Sequence, residues 1–167
     1  GVYWPPGAGK TFLALYTGER TAGEKLVVVP SSTLEQQWEE RIAEYCAQPD
    51  EWDVRTYQYL RRGDNMESYT GDDGPTLTVF DENHRLPANT FAKLATIDTD
   101  YRLGLSASPY REDGRTEYIF ALTGFPVGLN WQELVALGAV QTPDAQVFLY
   151  STAGEKQSDV STLLSER

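Results

Sequence analysis

The chain has 167 residues, with 25 acidic side chains against 14 basic ones and a formal net charge of −11. That length supports one globular domain with a sizeable core but not two complete ones, and no apolar run approaches the roughly 20 residues of a membrane span. A single cysteine, Cys46, and a single histidine, His84, exclude an intramolecular disulfide and a zinc site, so any metal must be held by oxygen.

Short β-rich apolar runs alternate with helical patterns, which predicts βαβ units around a mainly parallel sheet, the α/β class. Gly1–Trp4 reads as the end of a buried strand, and Lys10–Tyr16 opens a helix closed near Gly18. Leu26–Val29 is a second buried strand, stopped by Pro30. Ser32 with Glu35 three residues on predicts a capping box, before a helix whose apolar positions Leu34, Trp38, Ile42 and Tyr45 recur at helical spacing. Cys46, at the end of that pattern, reads as a packed, inert thiol.

Val54–Tyr57 has the character of a short strand, and Arg61–Pro75 that of an exposed, polar, glycine-containing loop. Leu77–Phe80 and Arg102–Leu105 are two further buried strands, with a helix over Asn89–Ile97 between them. Beyond Pro109 the pattern predicts a helix over Trp131–Leu137 and a strand over Gln146–Tyr150. Residues 1–150 thus form the lobe, and the small, polar stretch 151–167 a linker.

Three stretches carry chemistry. In WPPGAGKT, Gly7, Gly9, Lys10 and Thr11 fit a phosphate-binding loop, in which backbone N–H groups and a helix N-terminus face the phosphates. Lys10 would reach the β- and γ-phosphates and the Thr11 hydroxyl would ligate Mg²⁺, with Ala8 and Phe12 completing the nucleotide contacts. Trp4 occupies the place where such loops usually begin with glycine, and Pro5 and Pro6 remove two donors at that end.

In TLTVFDENHRLP, Asp81 and Glu82 fall at the C-terminal end of an apolar strand, where open α/β sheets bind ligands. Asp81 suits a Mg²⁺ ligand, since that ion takes one or two carboxylates and keeps its waters. Glu82 suits the group that orients and deprotonates an attacking water. A third strand ends in Ser106-Ala107-Ser108-Pro109, small hydroxyl residues placed to sense the γ-phosphate.

Together, Gly7-Ala8-Gly9-Lys10-Thr11, Asp81-Glu82-Asn83-His84 and Ser106-Ala107-Ser108 resemble motifs I, II and III of superfamily 2 helicases of the DExH kind. Arg111-Glu112-Asp113 looks like the Arg-Glu-Asp motif of the XPB-like repair and transcription helicases, and WQELVALGAV resembles the segment leading out of their first lobe. The resemblance implies a RecA-like lobe that binds ATP and Mg²⁺ against a second lobe, with DNA, duplex or forked, running across both. It also implies that His84, Ser106 and Ser108 couple the ATP site to movement. Ser31, Ser32 and Thr33 would meet a DNA phosphate at a strand-to-helix turn, Thr56 and Tyr57 would form the next DNA contact, and Arg111 a further one. A loop four residues from the start of the chain and one lobe's motifs alone imply a piece of a larger motor.

An acidic surface opposes a polyanionic partner unless salt screens it, and at molar ionic strength the screening length is only about 3 Å. Four lysines, Lys10, Lys25, Lys93 and Lys156, among many carboxylates fit a protein of the cytoplasm of a salt-loving prokaryote. Two other functions share these features: a restriction-type or remodelling translocase on duplex DNA, and a nucleotide-gated module that binds protein.

Overall fold

The computed structural model describes residues 1–62, 64–71, 74–86, 91–108 and 114–141. Among the described residues five strands, β1 (Val2–Tyr3), β2 (Lys25–Val29), β3 (Trp52–Thr56), β4 (Leu77–Asp81) and β5 (Tyr101–Ser106), pair in the order β1-β5-β4-β2-β3. Every pairing is parallel. Five α-helices among the described residues accompany them: α1 (Lys10–Gly18), α2 (Ser32–Tyr45), α3 (Tyr57–Leu60), α4 (Thr116–Thr123) and α5 (Trp131–Ala136). None of the described helices is long and apolar enough to cross a membrane.

Strand β2 shows why the sheet is covered on both sides. All five of its residues are buried, and alternate side chains point to opposite faces. Val27 and Val29 join Ala14, Leu15, Trp38 and Ile42 beneath α1 and α2, whereas Leu26 and Val28 join Tyr57, Leu60, Phe80 and Leu86 on the other face. Each Val, Leu, Ile or Phe side chain so removed from water contributes about 1.5–3 kcal/mol. Lys25 opens the strand at 3% exposure, paired with Glu51.

The five strands and the first two helices lie where the apolar runs put them, with ends shifted by a residue or two. The N-cap of α2 is Ser31, one residue earlier than the sequence suggested: Ser31 is extended, at φ −148°, and its Oγ accepts from the Leu34 N–H at 3.4 Å. Strand β3 stops at Thr56, because the Thr56 hydroxyl caps the turn that Tyr57 opens. The 61–75 segment is not a free loop over its described part. It holds a 3₁₀ turn at Glu67–Tyr69, Met66 is 7% exposed, and the Tyr69 hydroxyl donates to Asp53.

The helix expected over 89–97 is a 3₁₀ turn at Ala92–Thr96, residues 89 and 90 lying outside the described set. Helix α4 had no counterpart in the sequence reading. Helix α5 is opened by an Asn130–Glu133 capping box. The strand at 146–150 and the linker at 151–167 lie outside the described residues.

Candidate nucleotide site

Parallel strands end together, so the turns leaving β1, β4 and β5 converge on one edge of the sheet. Register makes this concrete, with Tyr3 opposite Ser106 and Asp81 opposite Leu105. The turn after β1 is the glycine loop. Ala8 N–H donates to the Pro5 carbonyl at 3.2 Å, Gly7 and Gly9 sit at φ +81° and +87°, and Gly9 caps α1. Left-handed backbone of this kind is disfavoured by a side chain, and a Cβ on either glycine would meet nothing within 4 Å. The loop therefore presents open space at a helix N-terminus.

Lys10 lies folded over the loop, its Nζ donating to the Trp4 carbonyl at 2.7 Å and the Pro5 carbonyl at 3.2 Å. Burial lowers its pKa, while the charges of Glu82 and Asp81 act to raise it. Those two carboxylates close the site. Asp81 Oδ2 accepts from the Trp38 indole N–H at 3.0 Å, and Oδ1 accepts from the Glu82 N–H at 3.1 Å. Burial pushes the Asp81 carboxyl above the usual range, the Trp38 bond acting against it.

Glu82 is the one non-glycine residue with positive φ among those described, at φ 51° and ψ 49°. Such a conformation in a residue with a long side chain is uncommon and points to a site that holds it. His84 Nδ1 lies 3.2 Å from Glu82 Oε2 and 2.9 Å from Ser106 Oγ, and Ser106 Oγ is also 3.3 Å from Glu82 Oε2. The His84 hydrogen bond holds the Glu82 carboxyl below its ordinary range, against burial, which raises it. Ser106 also donates to the Ser108 carbonyl at 3.0 Å, so the third motif is tied into the second.

The structure thus brings together Gly7, Ala8, Gly9, Lys10, Thr11, Asp81, Glu82, His84, Ser106 and Ser108. It does not bring the Phe12 ring to the loop: that ring packs edge-on against Tyr45 at 5.1 Å, with the Arg41 guanidinium 5.8 Å above it. Ser31, Ser32 and Thr33 are exposed where α2 begins, and Thr56 is partly exposed at the end of the neighbouring strand. Tyr57, expected as a surface contact, is 1% exposed, and its hydroxyl donates to the Asp81 carbonyl at 3.0 Å. Because Thr56 ends the strand, Tyr57 turns inward. Arg111, with Glu112 and Asp113, lies outside the described residues.

Two supports were not legible as such. Trp38 stood out as a core position, with nothing to show where its N–H would go. Asn83 is fully buried, its Nδ2 donating to Thr123 Oγ1 at 2.8 Å and Tyr3 Oη at 3.1 Å, and it fixes the turn that holds Glu82.

A five-stranded parallel sheet of this order, with a glycine loop after β1, a carboxylate pair after β4 and a serine pair after β5, defines a RecA-like lobe of the superfamily 2 helicase class. The solved helicase domain of Pyrococcus furiosus Hef has this fold: it superposes with a TM-score of 0.62 at 22% identity, over 74% of this chain and 32% of that one. No family model matches the sequence. Among curated proteins, the chain is 35% identical over 156 residues to the putative DNA 3'-5' helicase Rad25 of Halobacterium salinarum, covering 86% of this chain and 26% of that protein. It is 31% identical to the DNA 3'-5' helicase XPB of Kineococcus radiotolerans, over 99% of this chain and 35% of that protein. The chain belongs to the Rad25/XPB helicases. It spans about a quarter to a third of the length of these relatives.

Proposed function

We propose that this chain is the ATP-binding motor lobe of a DNA helicase or translocase, working against a second RecA-like lobe. The observation that carries the reading is the convergence of Lys10, Asp81 and Glu82, from two separate turns, on one open glycine loop. Fit to a nucleotide follows from that open space and the α1 N-terminus, which favours an anion. Fit to Mg²⁺ follows from the donor set, a hydroxyl at Thr11 and a half-buried carboxylate at Asp81, both hard oxygen ligands. When bound, the ion would neutralise charge on the transferred phosphoryl group.

The chain's own groups supply the rest. Lys10 exchanges its two loop carbonyls for phosphate oxygens, a stronger partner for an ammonium. Glu82, ionised over a wide pH range, accepts a proton from the attacking water at Oε2 or Oε1 and orients it in line. Ser106 and His84 contact that carboxylate, so its change of state reaches the β5 turn and the face offered to the second lobe. Ser31–Thr33 and Thr56 present hydroxyls and backbone N–H groups suited to DNA phosphates. The acidic composition and a Halobacterium relative support a setting in the cytoplasm of a high-salt prokaryote.

The test is a titration of a fluorescent ATP analogue with Mg²⁺, in concentrated potassium chloride, against wild type and Lys10→Ala. Saturable binding by wild type that is lost in Lys10→Ala supports the site. Equal binding by both, or none by wild type, refutes it. Stimulation of ATP hydrolysis by DNA, measured with both lobes present, then tests the motor.

A further inference from the structure

Asp81 is gripped from two sides by side chains of two different helices. Trp38, 2% exposed on α2, donates its indole N–H to Oδ2 at 3.0 Å. Tyr57, 1% exposed at the start of α3, donates its hydroxyl to the Asp81 backbone carbonyl at 3.0 Å. The other carboxylate oxygen, Oδ1, is taken by the Glu82 N–H at 3.1 Å. With a donor on each oxygen, the carboxylate cannot rotate without losing a bond, yet each oxygen keeps a lone pair for a further partner.

This is more than core packing. The indole N–H groups of Trp4 and Trp52 are also buried, and they have no partner among the described residues. The lobe therefore tolerates unpaired indoles, and the Trp38 N–H is one that is aimed. Helices α2 and α3 also begin with the exposed or part-exposed hydroxyls assigned above to DNA, Ser31–Thr33 and Thr56. Each element that offers hydroxyls to DNA sends one side chain inward to the same aspartate.

We infer that Trp38 and Tyr57 are positioning residues for Asp81, and that through Trp38 the orientation of the carboxylate depends on the seat of α2. A hydrogen bond at 3.0 Å is lost within about half an ångström, so a small displacement of α2 by a phosphate reaches Asp81 directly. The inference rests on the proposed nucleotide site, where Asp81 would hold Mg²⁺. Outer partners of metal ligands typically contribute 10- to 100-fold to metal affinity.

The experiment uses the 167-residue chain and two readouts. First, the free Mg²⁺ needed for half-maximal binding of a fluorescent ATP analogue is measured for wild type, Trp38→Phe and Tyr57→Phe, alongside binding of the analogue in EDTA. Trp38→Phe is expected to need about 10-fold more Mg²⁺, Tyr57→Phe less of an increase, with the EDTA affinity unchanged in both. A residue that merely fills space would weaken both measurements alike, and that result, or no change in Mg²⁺ requirement, overturns the role. Second, the Trp38 indole ¹H–¹⁵N resonance is followed in wild type, assigned by eliminating those of Trp4, Trp52 and Trp131 with phenylalanine variants. It should move when Mg²⁺ joins the bound analogue, and again when a short DNA duplex is added. Should Trp38→Phe not fold, this wild-type resonance decides: immobility on Mg²⁺ overturns the positioning of Asp81, and immobility on DNA overturns the dependence on α2. Absence of analogue binding to wild type instead overturns the nucleotide site itself, a distinct failure.

Discussion

Gly104→Ala is the substitution whose effect the structure defines most tightly. Gly104 pairs with Phe80 across β5 and β4, and an added Cβ would stand 2.2 Å from Asn83 Nδ2, 2.6 Å from Thr123 Oγ1 and 2.7 Å from Thr123 Cβ. None of these atoms can swing aside. Asn83 is fully buried and bonded to both Thr123 and Tyr3, and Thr123 is 4% exposed with its hydroxyl donating to the Ile119 carbonyl. Relief requires either breaking the two Asn83 bonds, at about 1 kcal/mol each, or forcing β5 away from the turn, and overpacking of this kind costs about 1–3 kcal/mol. Either route puts the loss at about 2 kcal/mol, equivalent to roughly 4–8 °C in Tm for a chain of this size. Urea denaturation followed by circular dichroism would measure it. Combining Gly104→Ala with Asn83→Ala removes the shortest contact, so the pair should fall short of additivity by more than about 1 kcal/mol. A loss below about 1 kcal/mol for Gly104→Ala alone, or strict additivity in the double variant, would refute the packing described here.

Gly9→Ala meets open space but a φ of +87°, so its stability should fall by only about 1–2 kcal/mol while binding of the ATP analogue weakens, both read in one titration series with urea controls. Glu82→Gln should retain nucleotide binding and lower hydrolysis, assayed with both lobes present, by about 10²- to 10⁴-fold. His84→Ala tests the depressed Glu82 pKa. A carboxyl whose folded pKa is lowered stabilises the fold above its unfolded value and loses that contribution as pH falls through the folded value; without His84 the loss should begin at higher pH, seen in urea midpoints across an acid series. The Cys46 thiol, pushed up to about 11 chiefly by burial with the Glu19 charge adding to it, should react slowly with a disulfide reagent at mildly alkaline pH and rapidly once unfolded in urea.

What the sequence disclosed followed from how local each signal is. Leu26–Val29 and Leu77–Phe80 are short apolar runs that only a strand buried on both faces explains, and the glycines of the loop mark backbone that side chains resist. Tyr57 was misjudged for the converse reason. Its inward turn depends on the Thr56 cap and on a partner, the Asp81 carbonyl, 24 residues away. Helix α4 has no capping side chain at Arg115, and only four of its eight residues carry apolar side chains of any size, so its pattern is weak. The N–H of Trp38 and the amide of Asn83 look in sequence like any core residue and any turn residue. Only assembly shows that both hold the acidic motif.

The same placement bears on how a chain of net charge −11 would meet the polyanionic partner proposed above. In a parallel sheet the two edges are chemically distinct, since every strand enters at one and leaves at the other. Glu24, Asp50, Glu51, Asp98 and Asp100 lie just before strands β2, β3 and β5, at the edge remote from the glycine loop. The α2 carboxylates Glu39, Glu40 and Glu44 face solvent. At the opposite edge, past the ends of β2 and β3, stand the α2 N-terminus and Arg61 and Arg62, all exposed, with Arg55 near the end of β3 stacked over Tyr59 at 5.4 Å. Carboxylates at that edge include Asp81 and Glu82, both half-buried beside Lys10. On the proposed function, charge segregated between the two edges would let an acidic shell keep the protein hydrated while a phosphate chain met hydroxyls, N–H groups and arginines. Net charge would then bear on hydration of the shell, and the edge where the strands end would govern recognition of the proposed partner.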